Sequence, residues 1–86
     1  MEVKYHLNGV EADCNYRKMH INTGTTCDDA DLVGGHYWDA TDYAADTWHH
    51  GAHYNSDANG KAKGAFDIIN GYDAAGNLGH VVVIHA

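Results

Sequence analysis

Apolar and polar residues alternate with a period of two along residues 3–7, a pattern typical of a strand with one apolar face. A second alternation runs over residues 16–22 and predicts a strand that turns Met19 and His20 to opposite faces. The apolar run VVVI within residues 80–85 is rich in β-branched residues and predicts a central, buried strand. Strand periodicity therefore dominates the patterned parts of the chain.

An Asn-Gly pair predicts a β-hairpin in the second half of the chain. Residues 52–56 and 61–68 each have the pattern of a strand, and Asn59-Gly60 lies between them. Asn-Gly between two alternating runs is a strong hairpin signal, because both residues tolerate the positive φ angles of a tight turn. The inward face of the second strand is predicted to comprise Ala62, Gly64, Phe66 and Ile68.

Long loops separate the predicted strands. Residues 23–35 and 70–79 are rich in Gly, Asp, Thr or Asn and predict loops, whereas residues 39–50 fit a short amphipathic helix and a loop equally well. The chain has 86 residues, enough for a single domain (1–86) with a thin core. Five to six strands without a well-marked helix predict an all-β protein, a β-sandwich.

The net charge narrows the range of partners. The chain carries 12 acidic and 5 basic residues, a formal charge of −7, which argues against nucleic acid or an anionic membrane as its main partner. No apolar run approaches the roughly 18 residues of a membrane span. The first residues, MEVKYHLNG, lack the apolar core of a signal peptide, as would a mature secreted product or a piece of a longer chain.

Eight histidines in so short a chain raise the expectation of a metal site. His20 lies on the second predicted strand, His36 follows a Gly-Gly step, and His85 follows the VVVI run. Asn22 lies on the same strand face as His20, with about 7 Å between their Cα atoms. We predict that His20, His36 and His85, the histidine trio, meet at one copper ion with nitrogen ligands.

A second group of histidines, His49, His50 and His53, lies in and just after the ambiguous segment. Two interpretations stay open for this group: a second metal site or a solvated loop. His80 is predicted to be a packed or surface histidine, and His6 a surface one.

Two cysteines, Cys14 and Cys27, are compatible with one disulfide, two free thiols, or bonds to another chain. About seven extended residues between them would span roughly 23 Å. The intervening loop would therefore have to fold back to bring the two Cα atoms within the about 7 Å that a disulfide requires.

Four stretches in the same order resemble those of Cu/Zn superoxide dismutase, and more closely those of the copper-only repeat proteins of that superfamily. The matching stretches are MHINTGTTC, GGHY, AHYNSDANGKAKGAFDI and GHVVVIHA. The four stretches lie in order between Met19 and Ala86, and the resemblance implies a Greek-key β-sandwich in an incomplete form.

The resemblance also implies a role for each histidine of the trio. His20 is similar to the first copper ligand, His36 to the ligand that bridges copper and zinc in the two-metal enzymes, and His85 to the last copper ligand. Asn22 stands where the family has its second copper histidine. The implied copper site is therefore degenerate.

The zinc ligands of the family are not recognisable as a pattern, so zinc is not expected. The family's zinc aspartate falls near His50, and whether His49, His50 and His53 replace that site is left open. An internal bridge between Cys14 and Cys27 stays one of the open alternatives, favoured by the family's cysteines and by the extracellular or other oxidising compartment that we expect.

Several family elements have no counterpart in the chain: the first hairpin, the arginine that guides superoxide, and the cysteine that pairs with the position of Cys27. Their absence predicts open sheet edges and exposed core. We expect self-association, or a larger protein assembly, to cover these edges.

Three functional interpretations follow from the resemblance. In the intact family, copper alternates between Cu(II) and Cu(I), oxidising one superoxide to O₂ and reducing the next to H₂O₂. Asn22 argues against this dismutation and favours copper binding without turnover, or a non-catalytic structural or assembly module that keeps the fold. Whether the chain is an enzyme is left open by its sequence.

Overall fold

The computed structural model describes residues 1–49 and 51–85. Within these ranges, strands predominate and helices are short, in agreement with the predicted all-β class. The strands are β1 (Glu2–Leu7), β2 (Arg17–Ile21), β3 (His53–Tyr54), β4 (Ala62–Asp67) and β5 (Val82–Ile84). The helical segments are two 3₁₀ turns, Ala30–Leu32 and Thr47–His49, and the α-helix α1, Ala74–Asn77. No helix in the described ranges is long and apolar enough to cross a membrane.

The strands form two antiparallel sheets. β1 pairs with β4 in a register that runs from Glu2 opposite Asp67 to Leu7 opposite Ala62. The second sheet has the order β3-β2-β5, with β2 at its centre. β2 thus has a neighbour on either side and positions His20 inside the sheet.

The Asn-Gly turn forms as predicted, but its two arms do not pair with each other. The carboxylate of Asp57 accepts hydrogen bonds from the N–H groups of Asn59 and Lys61, at 2.8 and 3.0 Å, and closes the turn. β3 then pairs with β2, whereas β4 pairs with β1. The segment after β1 contacts this turn, because the Val10 N–H donates to the Gly60 carbonyl at 3.1 Å.

The core consists of two small clusters that meet under β1 and β4. One is built on Met19, Tyr54 and Ala62. The other is built on Trp48, Ala52 and Ile68. Val3 and Phe66 pack against both clusters. Ala62 and Ile68 are buried and Phe66 is partly buried, so the predicted inward face of β4 is confirmed.

The prediction that the last strand is central and buried is wrong. β5 lies at the edge of its sheet, and its Val82 and Ile84 are 53% and 40% exposed. The described part of the chain supplies no further strand beyond β5, so β-branched residues that would suit a buried strand instead form an open edge.

The predicted loop 70–79 contains α1, which is too short for its residues to show helical periodicity. The side chain of Asp73 caps this helix by accepting a hydrogen bond from the Gly76 N–H at 2.7 Å. Asn77, the last residue of α1, and Asn70 are both buried and are hydrogen-bonded to each other.

Candidate metal centre

The histidine trio meets at one end of β2. His20 lies on β2 opposite Val83 of β5, and His85 follows directly after β5. The Nε2 atoms of His20 and His85 lie 3.0 Å apart. The ring of His36 lies against that of His20, with 3.9 Å between the ring centroids. The structure therefore brings together the three histidines that the sequence singled out.

His36 reaches β2 because the preceding loop folds back on itself. Thr23 and Gly35 share a backbone hydrogen bond of 2.9 Å, and Tyr37 donates its N–H to the Ile21 carbonyl at 2.8 Å. Gly34 has a φ of +75°, and a Cβ at this position would collide with the Thr23 side chain. Glycine is therefore required at this step of the loop. An isolated β-bridge between Asn22 and His36 completes the return.

Asn22 is a member of the cluster, although the sequence marked it only as a missing ligand. Its Oδ1 accepts a hydrogen bond from His20 Nδ1 at 2.8 Å. Its Nδ2 donates to the Gly34 carbonyl at 2.7 Å, and the residue is 5% exposed. A buried amide satisfied on both sides contributes to the order of its surroundings.

Asp46 is a second cluster member that sequence reasoning missed. Its Oδ2 accepts a hydrogen bond from His36 Nδ1 at 2.6 Å, and its Oδ1 accepts the Trp48 N–H at 2.8 Å. His49 Nε2 lies 3.9 Å from the same Oδ2. An aspartate just before a short helical turn is a usual cap, and that signal was present in the sequence. Its contact with His36 depends on the fold.

The pKa values of His20 and Asp46 are both lowered, but for different reasons. Burial lowers the pKa of His20 below its usual value, and the neighbouring His36 and His85 lower it further, while the bond to Asn22 acts in the opposite direction. Burial acts to raise the pKa of Asp46, but the Trp48 N–H and His36 outweigh it and the net pKa is lowered. At neutral pH the lowered pKa of His20 leaves it a neutral imidazole, the form that binds metals, while the Asp46 carboxylate against His36 is ionised.

The second predicted group of histidines is not brought together as a separate site in the described ranges. His49 lies with Asp46, and its ring centroid is 6.3 Å from that of His36. His53 packs its ring against Tyr16, with 4.7 Å between centroids. His50 lies outside the described residues.

Both cysteines are free, so the internal bridge that the sequence left open is not formed. Cys14 is buried before β2, and its N–H donates to the Ser56 Oγ at 3.0 Å. Cys27 is exposed in the loop after β2. The two thiols stay apart because they flank opposite ends of an extended strand.

The rings of His36 and His85 each lie against the ring of His20, and the three rings do not form a preformed ligand shell. Among residues 1–49 and 51–85, no group of three or more His, Cys, Asp or Glu side chains is arranged to hold a metal ion. The chemistry of the donor set nevertheless fits copper, because imidazole is one of its preferred ligands. The 3.0 Å between His20 Nε2 and His85 Nε2 is a hydrogen-bond distance between the two rings.

No family model, curated protein or solved structure matches the chain. The resemblance to superoxide dismutases therefore rests on the four sequence stretches and their order.

Proposed function

We propose that the chain is a copper-binding domain of the superoxide dismutase type, with the histidine trio as its ligands. The observation that supports this most is the convergence of three imidazoles from three distant segments, two of which have Nδ1 hydrogen-bonded outward to Asn22 and Asp46. Metal-binding histidines almost always use their second nitrogen in this way. Metal binding requires the His36 and His85 rings to turn from their contacts with the His20 ring towards a common point.

Copper is favoured over zinc by the sequence resemblance. His20, His36 and His85 match copper-ligand positions of the family, whereas the zinc ligands of the family have no recognisable counterpart in the chain.

Copper held at this position would supply one-electron redox chemistry. The charge around the site argues for binding without rapid turnover of superoxide. The carboxylate of Asp46 lies against His36, and the whole chain carries −7, so the local field repels a small anion. The proposed function is therefore copper binding, with dismutation slow or absent.

The proposed architecture is an incomplete Greek-key β-sandwich. Val3 and Phe66 of the β1-β4 sheet pack against the cluster that contains Met19 and Tyr54 of the second sheet, as facing layers of a sandwich do. With Cys14 and Cys27 free, the proposal does not extend to an oxidising compartment.

A non-catalytic assembly module is the second candidate, and the edge of β5 favours it. The Val81 carbonyl and the His85 N–H form hydrogen bonds to the chain segment that contains β2. In an antiparallel pair this pattern alternates, so the N–H and C=O groups of Val82 and Ile84 point away from β2, to the unpaired side of β5. Both side chains are also well exposed. An open, apolar strand edge is a template for pairing with another chain, so we propose that copies associate through β5.

Copper titration of the metal-free protein tests the leading proposal. We expect one copper per chain, quantified by elemental analysis, with nitrogen splittings in the EPR spectrum. His85→Ala should weaken binding by more than the about 10–100-fold typical of losing an outer partner. His6→Ala is the matched control, because His6 is exposed on β1, in the other sheet.

Two results would contradict copper binding by the trio: no stoichiometric copper in the wild type, or unchanged affinity in His85→Ala. A superoxide decay assay on the loaded protein then separates binding from turnover. Rapid decay that disappears with His85→Ala would show that the chain is an active dismutase.

A further inference from the structure

We infer that Asn22 is a positioning residue that sets the tautomer of His20 and so presents its Nε2 lone pair to the other histidines of the trio. The sequence resemblance suggests the contrary, that Asn22 only marks the place of a lost copper ligand. This inference rests on the proposed function in so far as His20 is taken as a ligand, but its geometry involves the protein alone.

The orientation of the Asn22 amide is determined by its partner on the loop. The backbone carbonyl of Gly34 can only accept a hydrogen bond, so the group that faces it at 2.7 Å must be the NH₂ of Asn22. The amide oxygen therefore points to the other side, where it lies 2.8 Å from His20 Nδ1. The residue is 5% exposed, so water does not compete for these two bonds.

The orientation of the amide in turn determines where the proton of His20 resides. An amide oxygen only accepts, so Nδ1 of His20 must carry the hydrogen. In the neutral ring Nε2 is then unprotonated, with its lone pair facing His85 Nε2 at 3.0 Å. A chain of contacts from Gly34 through Asn22 to His20 therefore prepares the nitrogen that a metal would use.

The same residue also anchors the two segments that carry the rest of the trio. The N–H of Asn22 donates to the Val81 carbonyl at 2.8 Å, just before β5. Its backbone forms the isolated bridge with His36. A histidine at position 22 would have a bulkier ring with differently spaced nitrogens, and it would leave the Gly34 carbonyl or His20 Nδ1 without its present partner. Replacement by histidine should therefore weaken the site.

The test reads the tautomer directly in metal-free protein. In a long-range ¹H–¹⁵N spectrum of protein labelled at histidine nitrogens, wild-type His20 should show a protonated Nδ1 and an unprotonated Nε2. Asn22→Leu removes the acceptor, and the proton should then shift towards Nε2. His80, whose Nδ1 bonds to the Thr23 carbonyl, is the internal reference that should not change.

Copper affinity provides the second measurement. Asn22→Leu and Asn22→His should both bind copper about 10–100-fold more weakly than the wild type. Tighter binding by Asn22→His would overturn the inference and support a lost ligand. A wild-type His20 protonated at Nε2 would overturn it whatever the affinity, and would do so even if Asn22→Leu failed to fold.

The tautomer separates this inference from the proposed function. A protein that takes up no copper but shows His20 protonated at Nδ1, with that preference lost in Asn22→Leu, would refute the proposed function and leave the positioning role intact.

Discussion

The hydroxyl of Tyr54 donates a hydrogen bond to the backbone carbonyl of His85. Tyr54 is 1% exposed, lies on β3 and packs its ring edge-on against Tyr5. His85 itself is exposed at the surface. A core residue from one edge of the three-stranded sheet thus holds a trio histidine that follows the opposite edge.

Removal of that hydroxyl should loosen His85 without disturbing the core. Tyr54→Phe keeps the ring and loses one hydrogen bond, and we expect unfolding in urea to become easier by about 0.5–1.5 kcal/mol. Copper affinity should fall as well, because the ligand is less well held. Tyr16→Phe is the matched control, since Tyr16 is 74% exposed. Equal stability of Tyr54→Phe and wild type would show that the bond contributes nothing.

Asp46 should act as the outer partner of His36. Asp46→Ala removes the acceptor for His36 Nδ1 and should weaken copper binding by about 10–100-fold, measured by competition with a chelator. Asp46→Asn keeps a carbonyl oxygen and should lie between the two. Asp42→Ala changes an exposed carboxylate of the same segment and should leave affinity unchanged. An equal loss in Asp42→Ala would indicate a general charge effect instead.

The turn aspartate Asp57 should make stability depend on pH in the acid range. Hydrogen bonds from the backbone N–H groups of Lys61 and Asn59 lower its pKa in the folded protein below the ordinary 3.8. Above the ordinary value both folded and unfolded chains are ionised, so the stabilisation is fully present. It is lost as the pH falls through the lowered pKa, because the unfolded chain then gains a proton more readily than the folded one.

The matching experiment compares melting temperatures of wild type and Asp57→Asn between about pH 6 and about pH 2.5. The wild type should melt higher at the upper end, and the difference should shrink towards the lower end. A difference that stays constant across this range would rule out ionised Asp57 as the source.

Charge placed on the open edge of β5 should reduce self-association. Val82 is 53% exposed on this edge, and lysine at a strand edge opposes pairing because a second edge would bury its charge. Val82→Lys should sediment as a smaller species than the wild type at micromolar concentrations. Leu78→Lys tests exposure alone, since Leu78 is 84% exposed but lies outside the strand. A wild type that sediments as a clean monomer would contradict association through β5.

The strands could be predicted well because the alternation of apolar and polar residues involves only a few neighbouring residues. The alternation around Met19 and the Asn59-Gly60 turn needed no knowledge of distant parts of the chain. The edge position of β5 could not be predicted in this way, since a β-branched run has the same appearance whether or not a further strand covers it.

The histidine trio could be predicted from the sequence, whereas the contacts that support it could not. Histidines are scarce and chemically distinctive, so His20, His36 and His85 could be singled out in advance. The roles of Asn22 and Asp46 depend on where the Gly34 carbonyl and the His36 ring lie after the loop has folded back. No spacing along the chain encodes those positions.

The contact between His20 and His85 spans 65 residues of chain. An ion bound by both His20 and His85 would close a long loop of the chain, and its binding free energy would add to the stability of the folded state. The ligand set cannot assemble before the last strand has docked on the second, so a misfolded chain would have no such site. Metal binding would therefore stabilise only chains in which β5 has paired with β2.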